Sequence, residues 1–255
     1  MGKQFSGKTI FITGGASGIG KDTCLAFARE GANVAICDLD KENGKKTLSE
    51  VEKLGVKGIF IELDVTQVDK VEQAVQKTVD ELGGLNFAFN NAGIASQKGA
   101  RIAEYSDEEF IKVMDVNVMG VWYCMRFELK HMLKSGGGVI INTASILGTV
   151  GMPMASSYVA SKHAVIGLTK TAALEYATKN IRVNALCPGY INTSMLEKNG
   201  IVPGTAKFDA LVDMHPVKRL GNVEEISGAV VFMCSDSASF MTGHSLLLDG
   251  GFTAR

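Results

Sequence analysis

Short apolar runs alternate with segments of helical periodicity along nearly the whole chain. The runs predict strands at about residues 9–13, 33–38, 58–63, 85–89, 139–143, 181–186 and 245–248. Helical spacing of apolar positions fills about 18–30, 41–54 and 67–82, with further helical stretches between the later strands. Within the strands the apolar positions are nearly continuous, as in Thr9-Ile10-Phe11-Ile12-Thr13. That pattern belongs to strands covered on both faces, and short strand–helix connections imply right-handed crossovers between parallel strands. The predicted fold class is α/β: a doubly wound parallel sheet of about seven strands with helices on both faces. With no linker, low-complexity segment or repeat beyond the strand–helix unit, residues 1–255 read as one domain.

One segment breaks the rhythm. Residues 192–216 carry Gly200, Pro203 and Gly204 among Met195, Leu196, Ile201, Val202, Phe208, Leu211 and Met214. A long excursion from a compact domain is usually a binding loop, and the apolar content favours a lid over a variable surface insertion.

Composition narrows the function classes. A chain of 255 residues, 46% hydrophobic, can bury one substantial core. The balance of 26 basic and 27 acidic residues gives no cationic block for nucleic acid. Five scattered cysteines without a C-x-x-C pair argue for a reducing, cytoplasmic setting, and four histidines share no metal-ligand spacing, so no metal is expected. No apolar run has the length of a membrane span. Met1-Gly2-Lys3-Gln4-Phe5-Ser6 fits the loose myristoylation pattern, a six-residue match of low specificity.

Candidate chemistry begins with Tyr158 and Lys162, four apart in a helical stretch and therefore on one face. A nearby cation favours a phenolate, which would make the tyrosine a usable proton carrier near neutral pH. With 5 tyrosines and 20 lysines, chance alone supplies about 0.4 such pairs, so the pair needs company. It has it in Thr13-Gly14-Gly15-Ala16-Ser17-Gly18-Ile19-Gly20, which links the first strand to a helix. Such glycines let a pyrophosphate approach the backbone and the helix N-terminus. The stretch from Gly15 to Lys21 also has triphosphate-loop spacing, but Asp22 stands where that loop needs Ser or Thr for magnesium. Asp38 ends the second strand 18 residues beyond Gly20, where an adenosine ribose would lie. A carboxylate there accepts from both ribose hydroxyls and repels a 2′-phosphate, which selects NAD over NADP; an ordinary strand-end aspartate is the bland alternative.

Together with Asn90-Asn91-Ala92-Gly93, these motifs make the chain, from Lys8 to Gly251, resemble the short-chain dehydrogenase/reductase family. The resemblance implies a Rossmann-type domain and a catalytic set of Asn117, Ser145, Tyr158 and Lys162. It assigns NAD contacts to Gly14, Ser17, Gly18, Ile19, Gly20, Asp38, Asp64, Val65, Asn91, Ala92, Gly93, Tyr158 and Lys162. Pro188, Gly189, Ile191 and Thr193 match the segment that holds the nicotinamide carboxamide. Asn91 would steady the central sheet, and Asn117 would kink its helix and hold a water near the lysine. Many relatives are tetramers, so a homotetramer is expected.

The implied activity is reversible hydride transfer between a secondary alcohol and its ketone, with Tyr158 as acid and base. Ala95, Ile146, Tyr190 and Met195, with Ser145, are the expected substrate contacts; Ser96, Met152, Met154 and His215 stand near them. This largely apolar set favours a modest-sized or cyclic small-molecule alcohol over a polyol. An NAD-responsive binding protein without turnover and an NADP-dependent ketoacyl-type reductase remain the alternatives.

Overall fold

The computed structural model describes residues 3–96, 98–198 and 200–254, apart from the side chains of 195 and 198. The myristoylation motif thus begins outside the described residues. In chain order the strands are β1 (Thr9–Thr13), β2 (Asn33–Asp38), β3 (Gly58–Glu62), β4 (Phe87–Asn90), β5 (Gly138–Thr143), β6 (Ile181–Pro188) and β7 (Ser245–Leu248). The helices are α1 (Gly18–Arg29), α2 (Lys41–Glu52), α3 (Val68–Leu82), α4 (Asp107–Met114), α5 (Gly120–Ser135), α6 (Ser156–Tyr176), α7 (Ser194–Lys198), α8 (Ala206–Asp213) and α9 (Val223–Cys234).

All seven strands form one parallel sheet in the order β3-β2-β1-β4-β5-β6-β7. Alternation along each strand feeds two cores. Phe11, Ala35, Ala88, Ile140 and Val183 face α3, α5 and α6, whereas Ile10, Ile12, Val34, Ile36, Phe89 and Ile141 face α1, α2 and α9. Both sheet faces are therefore covered, as the continuous apolar runs require. The chain winds outward from β1 to β3 and returns to β4, so β1 and β4 part at their carboxyl ends. In sheets of this kind that switch point opens the ligand crevice.

Two features depart from a plain strand–helix alternation. Between α4 and α5 the backbone makes a π-turn at Asp115–Met119, which carries Asn117. The 192–216 excursion is built as α7 and α8. Thr205 caps α8 by accepting from the Phe208 N–H at 3.3 Å, which gives this part of the excursion a defined shape. No helix among the described residues is long and apolar enough to cross a membrane.

Candidate active site

The glycine loop leaves β1 at the switch point. Gly14 has φ +68°, and a Cβ there would stand 2.9 Å from Asn91 Nδ2. At Gly20 a Cβ would meet the Gly14 carbonyl oxygen at 2.0 Å, so no side chain fits. Asn91 explains the closeness: its Nδ2 donates to the carbonyls of Thr13 at 3.2 Å and Gly14 at 3.3 Å. The Asn91 and Ala92 N–H groups both donate to Thr13 Oγ1, at 3.0 and 3.1 Å. The end of β4 thus fixes the loop after β1. Ser17 caps α1 with extended backbone but its side chain takes no capping hydrogen bond, and no acidic residue occupies the first turn. The N–H groups of that turn and the helix dipole remain available to an anion.

Asp38 lies against this loop. Its Oδ2 accepts from the Ala16 N–H at 2.9 Å and its Oδ1 from the Asp40 N–H at 3.0 Å. Each oxygen keeps a further lone pair, so the carboxylate is oriented but not used up. Asp64 is more committed. Burial works against its charge, but bonds from Thr66 and Gln67 hold its carboxyl below the usual value. Val65 is buried, with its side chain packed near Gly120.

On the other side of the crevice, Pro188 ends β6 and the chain runs back over the glycine loop. Ile191 bridges to Gly221, and Thr193 Cγ2 comes within 3.5 Å of where a Gly18 Cβ would be. A cavity of about 590 Å³ opens between α1 and the excursion, lined by Gly18, Thr193, Leu196, Ile201, Pro203 and Phe208 among others. The residues present therefore fit a dinucleotide: a loop with glycine at its closest approaches, an open helix end, an oriented carboxylate and a facing wall.

Tyr158 and Lys162 lie on α6, but the pair is not arranged as spacing alone suggests. Lys162 is 3% exposed, and its Nζ donates to the Thr143 carbonyl at 2.8 Å, past the Tyr158 ring, whose centre is 5.4 Å away. Burial lowers the ammonium to about 8. Burial also pushes the half-buried Tyr158 phenol up, to about 12; a hydrogen bond with Ser145 opposes the rise and neighbouring Tyr190 adds to it. The expected lowering of the phenol by its lysine is therefore corrected. Desolvation of the buried phenol is the larger effect.

Asn117 is also fully employed. Its Oδ1 accepts from the Ile94 N–H at 2.8 Å, while Nδ2 donates to Ile94 O at 2.9 Å and Ser161 Oγ at 3.1 Å. It clamps the post-β4 loop to α6. A Cβ on Gly93 would be 3.2 Å from Asn117 Oδ1 and 3.6 Å from Lys162 Nζ, so Gly93 is the gap where the two converge. Ser145 caps the short turn Ile146–Gly148 through the Leu147 N–H at 3.1 Å.

The substrate-side residues divide. Ala95, Ser96, Met152 and Tyr190 are half-buried and Met154 is exposed, whereas Ile146 and His215 are buried in packing. The Met195 side chain lies outside the described residues. Tyr190 packs with His215 and Phe252, ring centres 5.8 and 6.2 Å apart. Sequence reasoning missed Phe252, and it missed a hydroxyl chain in which Tyr105 bonds Ser96 and, at 2.7 Å, Ser157. Neither feature has a local motif; both arise from distant segments meeting.

Known proteins resemble this chain along nearly its whole length. A family profile described as enoyl-(acyl carrier protein) reductase matches residues 14–253. A cyclohexanol dehydrogenase of Acinetobacter sp. strain SE19 is 41% identical, with 100% of this chain and 98% of that one covered. A 2,5-dichloro-2,5-cyclohexadiene-1,4-diol dehydrogenase of Sphingobium indicum is 43% identical, covering 98% and 99%. Among solved structures, an NAD+-bound xylitol dehydrogenase superposes with TM-score 0.93 at 35% identity, covering 98% and 100%.

Proposed function

The chain belongs to the short-chain dehydrogenase/reductase family, and we propose that it is an NAD-dependent dehydrogenase of ring-borne secondary alcohols. The observation that carries the reading is the meeting of Tyr158, Ser145 and Lys162 beside a crevice bordered by the glycine loop and Asp38. NAD rather than NADP is supported by charge: the oriented Asp38 carboxylate would bind ribose hydroxyls and repel a 2′-phosphate. Ring alcohols are supported by the cyclohexanol and cyclohexadienediol relatives and by the aromatic cluster around Tyr190.

Bound nicotinamide supplies the acceptor for the hydride that leaves the alcohol carbon. The chain's residues handle the proton. Tyr158 Oη, as the phenolate, accepts it from the alcohol oxygen, and Ser145 Oγ donates a hydrogen bond to that same oxygen. The Lys162 cation offsets charge on the phenolate, and Asn117 holds the Gly93–Ile94 backbone against α6 beside the amine. Because burial opposes the phenolate, Ser145 and Lys162 must offset that cost before the proton is taken.

The excursion bearing α7 and α8 is assigned the role of lid, since its Leu196, Ile201 and Phe208 face Gly18 across the cavity. Assembly as a homotetramer is part of the proposal, and exposed Trp122, Leu174, Phe232 and Phe240 are side chains that such contacts would cover. Light scattering on the purified protein tests assembly. The activity test is NADH production with cyclohexanol, a cyclohexadienediol and xylitol, each with NAD and NADP. Turnover only of xylitol would replace the ring alcohol by a polyol. A second reading, reduction of an acyl thioester, is favoured by a 40% identical Thermotoga maritima relative named 3-oxoacyl-(acyl-carrier-protein) reductase, and would appear as NADPH-dependent loss of a β-keto thioester.

A further inference from the structure

Behind the site lies a buried polar cluster that the reaction does not use. Glu128 on α5 is fully buried and, among the described residues, enters no ion pair. Its Oε2 accepts from Asn90 Nδ2 at 3.0 Å, and the same nitrogen donates to Asn142 Oδ1 at 3.0 Å. Asn142 Nδ2 passes the chain on to Met125 Sδ and Thr169 Oγ1, each at 3.0 Å. Two oxygens of this cluster are left over: Glu128 Oε1 and Asn90 Oδ1 are both buried without a partner among the described residues.

A carboxylate is acceptor-only, with about four lone-pair sites, and a single N–H cannot replace the water it has lost. Two orphan acceptors on the same bonded pair call for one missing donor. A proton on Glu128 supplies it, because a carboxylic acid and an amide can donate to each other at once.

We infer that Glu128 is carried as the neutral acid, its Oε1–H donating to Asn90 Oδ1, and that this pair positions the ends of β4 and β5 for the active site. Asn90 and Asn142 are register partners on those strands. The residue after Asn90 is Asn91, which locks the glycine loop; the residue after Asn142 is Thr143, whose carbonyl holds Lys162. Burial pushes the Glu128 carboxyl up to about 8, against the opposing Asn90 bond. Its titratable neighbours offer no compensating charge. Cys124 on α5 and Cys37 on β2 are held well above the usual thiol range by burial. Lys77 on α3, the cation felt at Cys37, is at the surface 3.8 Å from Glu81.

The sign follows from linkage. The folded carboxyl titrates near 8 and the free group near 4.5. The folded state therefore keeps a proton the unfolded chain releases in that window. Stability is fullest below the lower value, falls as pH rises through the window, and levels off above the upper one. Glu128→Gln keeps the shape and both hydrogen bonds but has no proton to lose.

The test compares wild type with E128Q by thermal unfolding from about pH 5 to about pH 9, with infrared spectra and alcohol-oxidation profiles over the same range. E128Q is expected to match wild type at the acid end and to exceed its Tm at the alkaline end by on the order of 10 °C. The infrared band of a protonated carboxylic acid should be present in wild type at about pH 6 and missing from E128Q. The ratio of E128Q to wild-type kcat/KM should rise with pH. A Tm gap that stays constant across pH, absence of the band from wild type, or failure of E128Q to fold would each overturn the inference. The activity arm rests on the proposed dehydrogenase function, whereas the thermal and infrared arms do not, so a protein inactive on every alcohol still tests Glu128.

Discussion

Lys162 Nζ donates to the carbonyl oxygen of Thr143 at 2.8 Å, so the last residue of β5 fixes this amine. The lysine is therefore located by the sheet, while the tyrosine one turn earlier on α6 is located by its helix and by Ser145. The Tyr158 ring centre remains 5.4 Å from the amine, near enough for the cation to act through space on a developing phenolate.

This division predicts what Tyr158→Phe does. The ring, its packing and the lysine's bond to Thr143 are all retained, and only the proton-bearing oxygen is lost. NADH production at saturating NAD should fall by roughly 10²–10⁴ with Tm unchanged. Near-full turnover in a folded, NAD-saturated variant would remove Tyr158 from the acid–base role.

Asp38 touches the cofactor question through two backbone bonds. Asp38→Ala removes the acceptor for the Ala16 N–H, the ribose acceptor and the negative charge together. The kcat/KM with NAD should drop by about 10–100-fold, the loss expected for charged hydrogen bonds of about 1.5–3 kcal/mol. Relative use of NADP should rise. Kinetics with both cofactors on both proteins decide it, and a wild-type preference for NADP would defeat the charge argument.

The strand–helix rhythm made the sheet legible because burial on both faces leaves continuous apolar runs; observed strand ends fall within about two residues of those runs. The glycine loop and Asp38 were legible because their chemistry is local. Three things were not. The rise of the Tyr158 phenol was one, since sequence spacing places a cation beside the ring but does not show the burial of the hydroxyl. The helices within 192–216 were missed among glycines and proline. Glu128 sits between Phe127 and Leu129 in the sequence, where a carboxylate reads as solvent-facing; only the Asn90–Asn142 pairing across β4 and β5 shows why it is inside.

Lys218 offers a stability test remote from the chemistry. It follows Pro216-Val217 with φ +54°, a left-handed backbone that favours glycine. Its ion pair with Asp213, at 3.0 Å, is solvent-exposed and contributes little. Lys218→Gly should raise stability by about 1 kcal/mol, or roughly 2–4 °C in Tm, with activity unchanged. Calorimetry of the two proteins checks it; a lower Tm would mean the turn prefers the side chain.

Lys162 should show the opposite balance between stability and function. Burial holds its ammonium at about 8, below the ordinary 10.5, so the folded protein binds that proton less tightly than the unfolded chain does. For a cation lowered in this way the cost is complete below pH 8 and disappears as pH rises from 8 to 10.5. That cost is about 3 kcal/mol at neutral pH. Lys162→Met keeps an unbranched side chain and removes the charge, although the Thr143 carbonyl loses its donor, a penalty of about 1–3 kcal/mol. The variant should therefore be as stable as wild type or up to about 2 kcal/mol more stable at neutral pH. Its advantage should shrink as pH approaches the ordinary lysine value, because wild type gains stability there and the methionine variant does not. Turnover should be lost throughout. Unfolding curves of both proteins at neutral and alkaline pH measure the gap, and a methionine variant clearly less stable at neutral pH would mean that the amine's contacts outweigh its desolvation.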